Sequence, residues 1–364
     1  MVAQLLVCLV LVYKSRLVDV VDDQVQVAGV VDLGPTWAPA SLTLQLGSAF
    51  VPALGESFVL IDNDGADAVA GTFRNLPEGT TITLNGAYEM QLSYAGGDGN
   101  DVVLTTMVSP HIWSGAVNGQ WSEPGNWTPA GVPVHGDTLL FPAGAANTAS
   151  TNDLPGLALG SIAISGSGYV LDGNPISISG QIVASGNATL SIPVEWLDGA
   201  LGMHGPGLTI DGSMSGSASI TTAQAGQAQT GSSLYVSGEH AFTGTLRNAV
   251  ICATSCGYGY LYWNGASMPA ASIVNENYFT GHGQTGPFRS TSRLYLGPDG
   301  SWFGSANGSG RLATGDLDLG GTVHFDIDGV NAGLSYDQLA VTGVVTLSSP
   351  VANMSLSNTF VPAL

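Results

Sequence analysis

Basic residues are almost missing from this chain. Lys14 is its single lysine, and with Arg16, Arg74, Arg247, Arg289, Arg293 and Arg311 it faces 27 acidic residues, for a net charge of −20. Nucleic-acid binding needs a basic footprint to neutralise phosphates, so that class is excluded. Attraction to anionic membrane surfaces fails on the same ground. One lysine also leaves no basis for Schiff-base or phosphate-cradling chemistry. Cysteine is scarce as well. Cys8, Cys252 and Cys256 are too few for a disulfide scaffold. Cys252 and Cys256 either close a small disulfide loop or remain two packed thiols, and with no histidine nearby they do not make a metal site. Long apolar runs are absent too. Residues 2–13 are apolar but fall short of the ~20 residues that span a bilayer. Lys14 and Arg16 follow this run, whereas a secretory signal carries its charge ahead of the apolar core. The segment 1–22 therefore reads as a strand or an accidental start, and no membrane insertion is expected of this chain.

What is abundant is glycine, 51 residues of it, together with Ser, Thr, Ala and Val. Gly, Asn and Asp tolerate the positive φ of tight turns, so many short strands joined by many turns are expected. With 44% apolar residues the chain is too hydrophobic for a disordered tract. Apolar and small polar residues alternate in Ser161-Ile-Ala-Ile-Ser165, Ile176-Ser-Ile-Ser179, Thr189-Leu-Ser-Ile192, Leu208-Thr-Ile-Asp211 and Leu234-Tyr-Val-Ser237. Period two sends one set of side chains inward and the other outward. No helical period of about 10 or more residues competes outside the N-terminal segment. The fold class is all-β, either the stacked coils of a β-solenoid or tandem β-sandwiches. The small and β-branched inward positions of residues 145–345 favour the solenoid.

An internal repeat sets the organisation. Asp23-Gln-Val-Gln-Val-Ala-Gly-Val-Val-Asp-Leu33 recurs as Asp337-Gln-Leu-Ala-Val-Thr-Gly-Val-Val-Thr-Leu347, and Phe50-Val-Pro-Ala-Leu54 recurs as Phe360-Val-Pro-Ala-Leu364. Two blocks matching in the same order read as an array sampled out of phase. The expected parts are an undefined segment 1–22, the later part of one β-rich unit at 23–107, a Trp-rich entry or capping segment at 108–144, a solenoid body at 145–336, and the start of a next unit at 337–364. Neighbouring repeat units are then partners within one polypeptide.

Several stretches resemble known repeats. Leu234-Tyr-Val-Ser-Gly-Glu-His-Ala-Phe-Thr-Gly-Thr-Leu246 resembles the short strand repeat of autotransporter passenger β-helices. Residues 336–345, residues 61–67 with 94–104, and the tryptophan segment from Trp113 resemble the flanks of such units in large bacterial surface and adhesin proteins. The resemblance implies a right-handed parallel β-helix with a small β-rich capping segment, and secretion or cell-surface display. It implies a stalk or multivalent contact surface facing surface glycans or matrix, and it supplies no enzymatic activity.

Three constellations suggest chemistry. Gly96-Gly-Asp-Gly-Asn-Asp-Val-Val-Leu104 fits the glycine-rich nonapeptide whose stacked turns bind calcium, with Asp98 and Asp101 as ligands. Asp62, Asp64 and Asp67 would add oxygens from a second turn. The competing reading is two Gly/Asp turns joining strands. No other cofactor is expected. Trp113, Trp121 and Trp127, with Asn126, would form a glycan platform if their rings were exposed, or plug the end of a solenoid if buried. Asp316 with Asp318, and His324 with Asp326 and Asp328, share strand faces as paired carboxylates of a polysaccharide hydrolase would. Alternating Asp on a strand is usually its solvated face, and no catalytic residue is assigned. No nucleophile elbow or metal-spaced histidines are present.

Overall fold

The computed structural model describes residues 5–10, 24–46, 52, 54–64, 66–84, 87–198, 200–203, 207–223, 232–249, 259–297 and 309–356. Among these the structure is nearly all β, with one helical turn, the 3-10 turn Pro124–Asn126. None of its helices is long and apolar enough to cross a membrane. Cys252, Cys256 and the second pentapeptide at 360–364 lie outside the described residues. The chain forms two compact units, residues 1–110 and 111–364.

The first unit holds a five-stranded sheet in the order Val25–Val27, Ser57–Asn63, Asp101–Val108, Tyr88–Gly96, Thr81–Leu84. Only its first pair is parallel. Leu5–Val10 pairs antiparallel with Ser41–Leu46. Alternation along Tyr88–Gly96 buries Tyr88, Met90, Leu92 and Tyr94 against Leu60, Phe73, Val102 and Leu104. Tyr94 ties the fold locally, its hydroxyl donating to the Leu76 carbonyl at 2.6 Å and accepting from the Phe73 N–H at 2.9 Å.

The second unit is built from three sheets whose pairing is parallel except at one edge, unlike the antiparallel pairing of β-sandwiches. The chain visits them in rotation. Thr138–Phe141 lies in the first sheet, Ala149–Asn152 in the second and Leu157–Leu159 in the third; Ser161–Ile164 then returns to the first, beside Thr138–Phe141. The next strands, Tyr169–Gly173 and Ile176–Ile178, stack in the same way on the second and third sheets. Twelve strands make up the first sheet, from Trp127–Thr128 and His111–Trp113 at one edge to Val345–Leu347 at the other. The third sheet stops after four strands, ending at Met214–Gly216. The Trp-rich segment thus supplies the first strands of the stack, and the second repeat copy supplies its last.

Inward side chains line up strand above strand. Tyr169, Ala188, Leu208, Leu234, Leu261, Phe279, Leu294 and Val323 form one buried column of the second sheet. Leu246, Ile273, Phe288 and Leu317 form another in the first sheet. Fully burying one such side chain is worth about 1.5–3 kcal/mol relative to exposure, so the columns dominate cohesion. One run of polar residues inside the stack is paired from strand to strand. Thr222 donates to Asn248 Oδ1 at 3.2 Å, Asn248 Nδ2 donates to Asn275 Oδ1 at 2.9 Å, and Asn275 Nδ2 donates to Ser290 Oγ at 3.0 Å. At Gly281 (φ +145°) a Cβ would collide with the Trp263 carbonyl, so glycine is required where two rungs approach there.

Candidate contact surface

The residues between the inward ones along the second sheet lie on its other face, where Tyr235 is exposed, Tyr260, Tyr262, Tyr295 and His324 are half-buried, and Ser233, Tyr278 and Thr280 are buried. Register places Thr189, Thr209, Tyr235, Tyr262, Thr280, Tyr295, His324 and Asn353 in one outer column. A second column, two residues earlier on each strand, carries Ser233, Tyr260, Tyr278, Arg293 and Thr322. In-register parallel strands bring like side chains within stacking distance, about 4.8 Å apart. Tyr235 and Tyr262 accordingly stack with centroids 4.5 Å apart and planes 9° from parallel. Tyr295 and His324 stack at 4.2 Å and 11°. Tyr260 leans on Tyr278 at 5.1 Å, and the Arg293 guanidinium lies 5.2 Å from the Tyr278 ring centre.

Electrostatics follow from this half-buried setting. Burial pushes the Tyr262 phenol up, with Tyr235 adding to the effect and a hydrogen bond to Ser233 opposing it. Burial lowers the His324 pKa, Arg293 lowers it further, and Asp326 acts against both. Both shifts favour the neutral forms of Tyr262 and His324. The accessible part of the ladder consists of the Tyr235, Tyr260, Tyr262, Tyr295 and His324 rings with the Arg293 guanidinium.

Below it lies the acidic group. Asp337 is 6% exposed, and its carboxylate accepts N–H bonds from Gly310 and Asp326, both at 2.7 Å. Burial raises its pKa to about 6; Asp326 and Asp328 add to this and the two N–H bonds oppose it. Asp316 accepts the Val344 N–H at 2.8 Å, and Asp318 lies 3.4 Å from Arg289. On the third sheet, a groove of about 390 Å³ runs past Pro155, Pro175, Pro193 and Glu195, with Ser177 donating to Glu195 at 2.8 Å.

The three tryptophans, which a glycan platform would need exposed and an end plug buried, are buried. Trp113, Trp121 and Trp127 are 0%, 0% and 2% exposed; Trp127 packs edge-to-face on the other two and on Phe141, and Trp113 and Trp121 lie tilted against Phe141. Each indole N–H is already used: Trp113 donates to the Asn147 carbonyl, Trp121 to Ser150 Oγ and Trp127 to the Trp121 carbonyl. Asn126 is fully buried; its Oδ1 accepts from Val117 and Asn118 and its Nδ2 donates to Asn118 and Gln120. No ring face or amide is left for a ligand, because these residues fill the first turns of the stack.

The candidate calcium ligands are also placed. Residues 97–100 form the turn of an antiparallel hairpin between Tyr88–Gly96 and Asp101–Val108, rather than one rung of a parallel roll. The Asp101 carboxylate accepts the Asn63 N–H at 2.8 Å and lies against Gly97, whose φ of +57° and lack of Cβ make room for it. Asp67 contributes its backbone carbonyl to Asn63 and Asn100. Among the described residues no three His, Cys, Asp or Glu side chains gather as a metal would need, so Asp62, Asp64, Asp67, Asp98 and Asp101 do not form one ligand set.

The tyrosine ladder, Arg293 and Asp337 are the residues that sequence reasoning missed. No protein-family model, curated protein or solved structure matches this chain.

Proposed function

We propose that this chain is a non-enzymatic structural and adhesive module of a secreted or cell-surface protein. In this reading the second unit is a right-handed parallel β-helix whose tryptophan cluster closes one end. It acts as a stalk, and its outer ladder from Tyr235 to His324 serves as a multivalent contact surface for glycans or matrix. The observation that carries the reading is the outer column itself: aromatic side chains in register on a continuous parallel sheet, Tyr235 exposed and Tyr262, Tyr295 and His324 half-buried. Repeated weak contacts on such a face add through effective concentration. The acidic surface supports solubility and contact with neutral polymers. Of the carboxylates that would perform hydrolysis, Asp316 accepts the Val344 N–H, Asp318 faces Arg289, and Asp326 and Asp328 lie close to the buried Asp337.

Retention on a panel of insoluble polysaccharides, with released reducing ends assayed in parallel, tests this. The expected result is retention without release, weakened at least tenfold in Tyr235→Ala/Tyr262→Ala at unchanged thermal stability. Release of reducing ends that disappears in Asp326→Ala would replace the reading with a hydrolase. Retention that ignores the tyrosine pair would move the contact surface elsewhere.

A further inference from the structure

The two copies of the repeated motif are satisfied on opposite edges. Seven of eleven residues are identical between positions 23–33 and 337–347, so each backbone group in one copy has a counterpart in the other. In the second copy, Gln338 donates to Gly310 and Thr342 to Thr314, while Val344 accepts from Leu317 and Ser348 donates to Leu319. All four bonds point to earlier strands. In the first copy, Val27 accepts from Asp64, Val31 accepts from Ala70 at 2.8 Å, and Leu33 donates to Ala70 at 2.8 Å. These point to later residues. Backbone groups alternate sides along a strand. The counterparts of Val27, Val31 and Leu33, namely Val341, Val345 and Leu347, therefore present theirs along the edge that no described strand occupies.

Burial agrees. Val31 and Leu33 are 6% and 2% exposed beneath the segment that follows them, whereas Val345 and Leu347 are 51% and 61% exposed. Val351, Met354 and Leu356, on the last strand of the second sheet, are exposed as well. An apolar face bordered by open strand edges is an acceptor for another strand.

We infer that this face is a docking site for a further copy of the segment spanning residues 55–108, carried on the same polypeptide. Register assigns its contacts: Leu339 and Val341 pair with the equivalents of Ile61 and Asn63, and Val345 and Leu347 bracket the equivalent of Ala70. Phe360-Val-Pro-Ala-Leu364 repeats the five residues that lead into residue 55 in the first copy, which is where a further copy of 55–108 would continue the repeat. A swap of the existing segment from a second molecule gains nothing, since it uncovers one acceptor to cover another. The inference rests on reading the second unit as a stack of coils, and is independent of what its exterior binds.

The test is the full chain extended after Leu364 by a second copy of residues 55–108, followed by hydrogen exchange. Peptides from 339–356 are expected to exchange at least tenfold more slowly than in the unextended chain. The duplicated peptides from 57–63 and 101–108 should show one isotopic population. Replacing the added copy's Ala70 equivalent by proline removes the N–H that Val345 would accept, and should return 339–356 to its unextended rate. Unchanged exchange at 339–356 would overturn the inference, whether the duplicated peptides show one population or two. Peptides from 208–210 report the stack itself, so loss of their protection would instead count against the coil reading.

Discussion

Asp337 offers the sharpest quantitative test, because its carboxyl is buried, doubly bonded to backbone N–H groups and still raised from 3.8 to about 6. Its folded form holds a proton more tightly than its unfolded form. Between those two values the folded state therefore carries more protons, and stability falls as pH rises. The stabilising proton is fully in place below about pH 4 and is lost as pH passes through about 6. A shift of about two units corresponds to roughly 3 kcal/mol, and screening by solvent beside Asp326 and Asp328 reduces this to about 1–2 kcal/mol. Asp337→Asn cannot titrate, although its amide turns an N–H toward one of the two donors and costs about 1–3 kcal/mol at every pH. The measurable quantity is the difference between wild type and variant, which also cancels the general effect of the −20 charge. Urea unfolding at pH 4, 5, 6 and 7 should show the wild-type advantage shrinking by about 1–2 kcal/mol across the series. An advantage that is constant or grows with pH would refute the assignment, as would a carboxyl carbon resonance titrating near 4.

Three further outcomes follow from the packing. Trp263→Ala, at a fully buried position, should lower stability by about 3–5 kcal/mol in denaturant titration. Asn248→Ala removes one acceptor of the Thr222 hydroxyl and the amide that donates to Asn275 Oδ1 and the Tyr278 carbonyl, and should cost about 1–3 kcal/mol, more than Asn118→Ala in the same assay. His240 is buried, and its Nδ1 accepts the Met214 N–H at 3.1 Å. Burial lowers its pKa, with the Ser237 backbone opposing. Its neutral form is thus favoured on folding. The contribution is present above the ordinary histidine value and lost as pH falls through the lowered one, so His240→Gln should flatten the acid limb of a melting-temperature profile.

The strands were legible and their partners were not. Alternation at 161–165, 176–179 and 208–211 marks the strands Ser161–Ile164, Ile176–Ile178 and Leu208–Ile210, because period-two burial depends only on neighbours in sequence. The assignment of successive strands to three different sheets depends on turn geometry, which small turn residues encode weakly. The tyrosine ladder was hidden by irregular spacing. Thr209, Tyr235, Tyr262, Thr280, Tyr295 and His324 are neighbours in space but lie 26, 27, 18, 15 and 29 positions apart. Insertions of different length between rungs erase any period. Tryptophan misleads for another reason: an indole suits a sugar face and a core equally, and only the packing of Trp113, Trp121 and Trp127 on Phe141 decides. Asp337 gave no signal as a titrating group, since its burial arises from chain crossings at Gly310 and Asp326.

The central claim is that the second unit is a durable continuous stack that holds an outer surface in place. Hydrogen exchange across residues 111–356 of the native chain tests it most directly. The account predicts protection that runs unbroken through the strands of the first and second sheets and falls away only at Val345–Leu347 and Val351–Leu356. Exchange in Leu208–Ile210 or Thr245–Asn248 as fast as in those two edge strands would contradict it.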